Sequence, residues 1–263
     1  MAVLHGPVRF RGGGFSPRSL PGVGIATLLT VVLRWQGAAS AGWMDTRFLS
    51  PPLAIGRALW ALILSGELWL NLSASLQRLA IGWVVGTGAG LLVGVAMGLS
   101  TLARAPGMAL VSALFPIPKI ALVPLFIIWF GIGEGSKVVT LGAGVFFPTV
   151  IATAAGIDAL PRGLVRMGQS FGLSRGAILA KIVLPGLVPA LLSAFRVTSS
   201  IAIILLVAAE MIGTGEGIGA YVLQEGNLYN TDNLLAGIVV LSLMGLTVAW
   251  VLGRLERWLL AWR

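Results

Sequence analysis

The sequence predicts an all-α polytopic membrane protein with six transmembrane helices and one folded, basic loop on the cytoplasmic side. Three observations carry this. The 263 residues are 57% hydrophobic and only 10% charged, with a mean hydropathy of +0.96, too apolar for a soluble domain of this length. Apolar runs long enough to cross a bilayer recur along the chain. Lysine and arginine gather in alternate connections, which the positive-inside rule places in the cytoplasm. The formal charge of +9 would suggest nucleic acid in a soluble protein, but its sorting by side assigns it to topology instead.

Residues 1–19 are polar and basic through Arg9, Arg11 and Arg18, and read as a cytoplasmic tail; 20–263 reads as one membrane domain. Leu20–Leu33 is the first apolar run, followed by Arg34, Trp35 and the small residues Ala38-Ala39-Ser40-Ala41. These resemble a cleavable signal, but Arg34 lies between the run and the cleavage site, so an uncleaved first span is preferred. Pro51 and Pro52 open a segment to Gly66 too short to cross, read as an interfacial helix on the outer side. The second span, Leu79 to Ala103, carries glycine at 82, 86, 90, 94 and 98. That ladder of small residues lets another helix backbone approach, within this subunit in preference to a second one.

Arg104 marks an inner turn. Ala105 to Gly133 holds Pro116, Pro118, Pro124 and Lys119, so this span is broken or kinked. Val138 to Ile157 forms the fourth span. The loop 158–185 carries Arg162, Arg166, Arg175 and Lys181 against Asp158. Pro161 suits a helix start, and Leu164, Met167/Gly168 and Phe171 recur at three- and four-residue steps as an apolar stripe on one side of a short helix, with Arg162, Arg166 and Gln169 around the other. Gly172 fits the left-handed end of that helix, Ser174 caps a second one, and Pro185 stops it. Gly186 to Met211 is the fifth span, with Arg196 inside it and Glu210 near its end. The loop to Asp232 has acids and no lysine or arginine, so it lies outside. Asn233 to Leu252 is the sixth span, and Arg254, Arg257 and Arg263 return to the inner surface beside Trp258 and Trp262. Both termini are then cytoplasmic.

Several chemistries are excluded. The chain has no cysteine and a single histidine, His5, which removes disulfides and histidine acid–base or zinc chemistry. No other metal site is expected, because the carboxylates lack ligand spacing. Gly213 to Gly219 is glycine-rich but lacks G-x-G-x-x-G spacing, and no Walker motif exists for ATP. A proton- or sodium-coupled transporter would carry carboxylates or histidines within its spans, and none is evident away from the ends. A structural scaffold would not explain the folded basic loop.

Two charges fall deep in spans, Lys119 and Arg196, with no carboxylate evidently placed to pair with them. Either they line an anion pathway, or they bind carbonyls freed by the prolines. The outer acids Glu134, Glu216 and Glu225 form a surface for a soluble partner with a basic rim.

Gly172, nine residues, then Ile182-Val183-Leu184-Pro185 resembles the G-x9-I-x-L-P half of the cytoplasmic loop of permease subunits of bacterial ABC importers. The E-A-A half is not kept, its positions being Arg166, Met167 and Gly168. Phe115 to Lys137, reading FPIPKIALVPLFIIWFGIGEGSK, is similar to the sulfonate, taurine and nitrate branch. The resemblance implies a type I permease fold in the bacterial inner membrane, without enzymatic activity or a cofactor of its own. It further implies these partners: a second permease copy, two ATPase subunits holding ATP and Mg, and a binding protein outside. The loop residues Arg166, Ser170, Gly172, Arg175, Ile182 and Pro185 would form the ATPase contact. The cargo implied is an aliphatic sulfonate, with nitrate, bicarbonate or a pyrimidine precursor as alternatives.

Overall fold

The computed structural model describes residues 21–212 and 215–261, all helices and connections. The tail 1–19, Trp262 and Arg263 lie outside the described residues. By internal contacts the chain divides into Met1–Arg57 and Ala58–Arg263.

In the first unit, α1 (Pro21–Ser40) is a 20-residue helix, so it runs past Leu33 and takes Arg34 and Trp35 into its last turns. Thr27 and Thr30 donate to the carbonyls of Val23 and Ala26, which hides their hydroxyls from an apolar surround. Beyond α1, the Gln36 amide oxygen accepts from Leu53 N–H at 3.1 Å, at the start of α2 (Pro52–Leu64). At 13 residues α2 is too short to cross a bilayer.

The second unit is built on α3 (Glu67–Leu99) and α6 (Glu134–Asp158). At 33 residues α3 is about 50 Å long, starting well before the expected Leu79. The stretch containing Asn71, Ser75 and Arg78 reads polar in sequence, yet all three are buried because they bond to other parts of the chain. The glycine ladder packs within the subunit. A Cβ on Gly82 would stand 2.6 Å from Leu141 Cβ, and one on Gly90 would stand 2.7 Å from the Phe146 carbonyl. The paired numbers rise together, so α3 and α6 run parallel.

Between them the chain must return from one end to the other, and it does so in a broken span. Ser100, extended at φ −131°, ends α3 and caps α4 (Thr101–Leu114) by accepting from Ala103 N–H. A 3₁₀ turn at Lys119–Leu122 leads to α5 (Val123–Phe130), and the two halves meet at 87°. The Lys119 ammonium donates to the carbonyls of Leu114, Phe115 and Ile117 at 2.8, 3.2 and 2.7 Å. Pro118 has no N–H to offer Leu114, whose carbonyl accepts from Ile117 N–H at 3.3 Å, and the ammonium adds a second, shorter bond to it.

After α6 come α7 (Arg162–Ser170) and the four-residue α8 (Arg175–Ile178). A π-helical turn, Leu179–Val183, joins α8 directly to α9 (Leu184–Glu210). The helix therefore does not stop at Pro185. The wide turn, with Leu184 N–H bonded to Leu179 O, accommodates a proline that an ordinary α turn would resist. α9 runs antiparallel to α6, bringing Gly156 against Leu187 and Gly144 against Leu205. The short α10 (Ile218–Asn227) and the long α11 (Thr231–Leu259) complete the unit.

Leu79, Leu141, Val145, Leu205, Leu206 and Met244 form the central core from α3, α6, α9 and α11. The buried hydroxyls of Thr140, Thr149 and Thr153 donate to carbonyls one turn back at 2.7 Å, so α6 carries polar side chains through this core without unpaired donors. Among the described residues five helices are long and apolar enough to cross a membrane, or six if the bent pair is one span.

Candidate functional site

Functional side chains gather at the two ends of the second unit, a basic end holding α7 and α8 and an acidic end holding α10. At the basic end Arg104 joins α4 to the last residue of α6 through two bonds to Asp158, at 2.8 and 2.6 Å. α7 then folds back. Gly172 adopts φ +70°, and Leu173 N–H reaches Gly168 O at 3.0 Å, the wrap expected of a left-handed helix end. Ser174 accepts from Ala177 N–H at 3.3 Å and starts α8.

The orientation of α7 is set by its glycine. Gly168 is its buried residue, and a Cβ there would lie 2.8 Å from Ile182 Cδ1. Turning Gly168 inward turns the apolar stripe outward, so Leu164, Met167 and Phe171 are exposed, Phe171 at 79%. Arg166, Ser170, Gly172, Arg175 and Pro185 are exposed too, while Ile182 is half-buried. An exposed apolar face beside arginines on a short amphipathic helix has the character of a contact surface.

Arg196 lies on α9 and forms an ion pair with Glu256, which corrects the premise that no carboxylate is placed to meet it. Glu256 falls in the last turn of α11, while Arg196 lies near the middle of α9, next to Phe195, whose ring meets Trp83 halfway along α3. Ser193, Arg196 and Ser200 recur at helical spacing on an exposed face of α9. A cavity of about 460 Å³ beside them is lined by Arg196, Ser199, Ser200, Ile203, Gly245 and Ala249.

The acidic end holds the arrangement that the sequence did not announce. Arg78, 4% exposed, is the hub. Its Nη1 donates to Glu210 Oε1 and to the Glu216 carbonyl, each at 2.8 Å. Its Nε and Nη2 donate to Glu134 Oε2 and Oε1 at 2.7 and 2.8 Å, and Lys137 Nζ reaches the same Oε1 at 3.2 Å. Around this pair the start of α10 is bonded by side chains. Gly217 N–H donates to Asn71 Oδ1, Ile218 N–H to Ser75 Oγ and Gly219 N–H to Glu210 Oε2, at 2.8, 2.9 and 2.9 Å. These are the orphan donors of a helix N-terminus, satisfied from α3 and α9.

Of the three acids expected on an outer docking surface, Glu134 and Glu216 are exposed, but Glu225 is 7% exposed and accepts from Asn233 Nδ2 at 3.0 Å. Its place is inside, because α10 turns it with Tyr221 toward α11. Burial, then the charges of Glu225 and Glu67, push the Tyr221 phenol up. Arg78 and Glu210 were legible only as a cation and an anion placed near the same ends of two apolar helices.

Comparison with known proteins agrees with this architecture. Residues 86–261 match the family described as binding-protein-dependent transport system inner membrane component. The taurine transport system permease of Escherichia coli K12 is 32% identical over 90% of this chain and 88% of its own. Proteins named as aliphatic sulfonates transport permeases are 35% identical in E. coli K12, over 88% of each chain, and 32% in Bacillus subtilis 168, over 100% of this chain and 92% of the other. The MetNI methionine ABC transporter, solved in inward facing conformations, shares the fold with a TM-score of 0.60 at 22% identity, over 73% of this chain and 97% of that one. This chain thus belongs to the family of inner membrane components of binding-protein-dependent transport systems.

Proposed function

We propose that the chain is the non-catalytic permease subunit of an ATP-driven importer of small sulfonates, working as a pair of identical copies. The single observation that supports this best is α7, whose exposed Leu164, Met167 and Phe171 flank exposed Arg166 and Arg175 and await a partner surface. On this reading two ATPase subunits, which hold the ATP and Mg, grip α7 and α8. The basic end is cytoplasmic, both termini lie there, and a soluble binding protein meets the acidic end at Glu134 and Glu216. Closure of the ATPase pair moves the loop, and the movement opens the pathway toward the binding protein.

The relatives named for taurine and aliphatic sulfonates supply the substrate class, and the exposed Arg196, Ser193 and Ser200 supply an anion-tolerant wall. A charged residue exposed in a span must face water or another subunit, because lipid would impose a cost of about 2.5–3.5 kcal/mol. Lys119 serves the same path by holding its bend. The test is uptake of labelled taurine by proteoliposomes containing permease, ATPase and binding protein. Uptake that needs ATP and all three components supports the reading, and its absence with taurine and with alkanesulfonates overturns it.

A further inference from the structure

Arg78 and Lys137 are both almost wholly buried, with side chains 4% and 5% exposed, yet the carboxylate that covers them, Glu134, is 64% exposed. The Arg78 fork is divided. Nη1 is fixed to Glu210, whose side chain is fully buried, and this half anchors α10. Among the described residues Nε and Nη2 face only Glu134, at the start of α6, and Lys137 Nζ shares one of its oxygens. The two cations and two carboxylates balance. Removal of Glu134 leaves three pre-oriented N–H groups and one net positive charge, held by α3 and by the first turn of α6.

We propose that Glu134 is a built-in stand-in for the solute, and that Arg78 Nε and Nη2 with Lys137 Nζ form an acceptor for a sulfonate at the acidic end. The chemistry favours the exchange. A carboxylate has two oxygens, so Glu134 Oε1 must serve both Arg78 and Lys137. A sulfonate has three, enough to take the arginine fork with two and the ammonium with the third. Glu134 is the first residue of α6 and its side chain is 64% exposed, so the carboxylate can rotate out toward solvent while the helix that holds Lys137 stays in place. With the acid swung out, a solute entering from the outer side meets a charged, dry cradle. When the solute moves on, Glu134 returns and neutralises it, which prevents the site from holding its cargo. This assignment rests on the importer reading for its orientation and substrate class, but its geometry stands on the ion pairs alone.

The test is equilibrium binding of radiolabelled methanesulfonate to the full chain in nanodiscs, without ATP or partners. Glu134→Gln should tighten binding by about tenfold, since it keeps the shape of the cover and removes its charge. Lys137→Gln added to Glu134→Gln should abolish that gain. Glu134→Asp, which retains the charge on a shorter arm, should fall between wild type and Glu134→Gln, and it serves if the neutral variant fails to fold. Affinity unchanged in a monodisperse Glu134→Gln or Glu134→Asp sample, or a gain that persists without Lys137, would overturn the site. Because no transport is measured, that result would leave the importer reading to the uptake assay.

Discussion

The carbonyl oxygen of Gly142 lies 2.5 Å from where a Cβ on Gly86 would stand, so α3 and α6 touch backbone to backbone at this level. Valine at Gly86 has no room to rotate away from main-chain atoms. Gly86→Val should destabilise the folded chain by about 1–3 kcal/mol, the range for overpacking. Gly88, on the same helix with open space around it, provides the contrast. Gly88→Ala should be neutral or stabilising by about 0.5–1 kcal/mol through helix propensity. Thermal unfolding in a single detergent compares the two, and equal effects would remove the argument from close approach.

Gly172 tests the loop by backbone strain, since nothing lies within 4 Å of a Cβ there while φ is +70°. Gly172→Val should cost about 1–2 kcal/mol locally and reduce recovery of the ATPase with the permease. Gly176→Ala, also in open space but in helix, should leave recovery unchanged. Phe171→Ser should weaken ATPase recovery without lowering the unfolding temperature, because its ring is exposed and contributes little to the isolated fold.

The Arg78–Glu210 pair should behave as a buried charge pair. Glu210→Gln alone leaves Arg78 short of a charged partner and should cost about 3–5 kcal/mol, whereas replacing both residues with leucine should cost less than either single change. Unfolding temperatures of the three variants decide this. A double variant that loses the sum of the single effects would show that the two act independently.

Glu216 and Glu225 should separate cleanly when reversed to lysine. Glu216 is exposed, so Glu216→Lys should leave stability within about 0.5 kcal/mol while slowing capture of the binding protein and changing its salt dependence. Glu225→Lys places an ammonium where a buried carboxylate meets Asn233, and should lower the unfolding temperature. Capture kinetics at two salt concentrations, with thermal unfolding, check both outcomes.

Periodicity and charge revealed the helices, the broken span and the internal use of the glycine ladder, because lipid imposes long apolar segments and glycine spacing dictates close approach. The loop was legible down to the left-handed Gly172 and the Ser174 cap, which are local. What was hidden is what depends on distant partners. Asn71, Ser75 and Arg78 read as a polar lead-in to a helix, because nothing local says that Gly217, Ile218 and Gly219 will need acceptors. Arg196 read as unpaired because Glu256 was assigned to a tail, although α11 carries it to the same level. The outward turn of Phe171 follows from Gly168 packing on Ile182, a contact between two helices that periodicity within α7 does not specify.

The π-helical turn at Leu179–Val183 has a mechanical consequence. Because it bridges Pro185 instead of breaking there, the 36 residues from Arg175 to Glu210 form one rod about 50 Å long. One tip lies in the exposed loop and the other inside the Arg78 cluster. A tilt of about 5° at the loop, pivoting there, would carry the far tip through about 4 Å over that length, more than the length of any hydrogen bond it makes. The same wide turn is where the rod yields most readily, since π turns are sites of bending within otherwise regular helices.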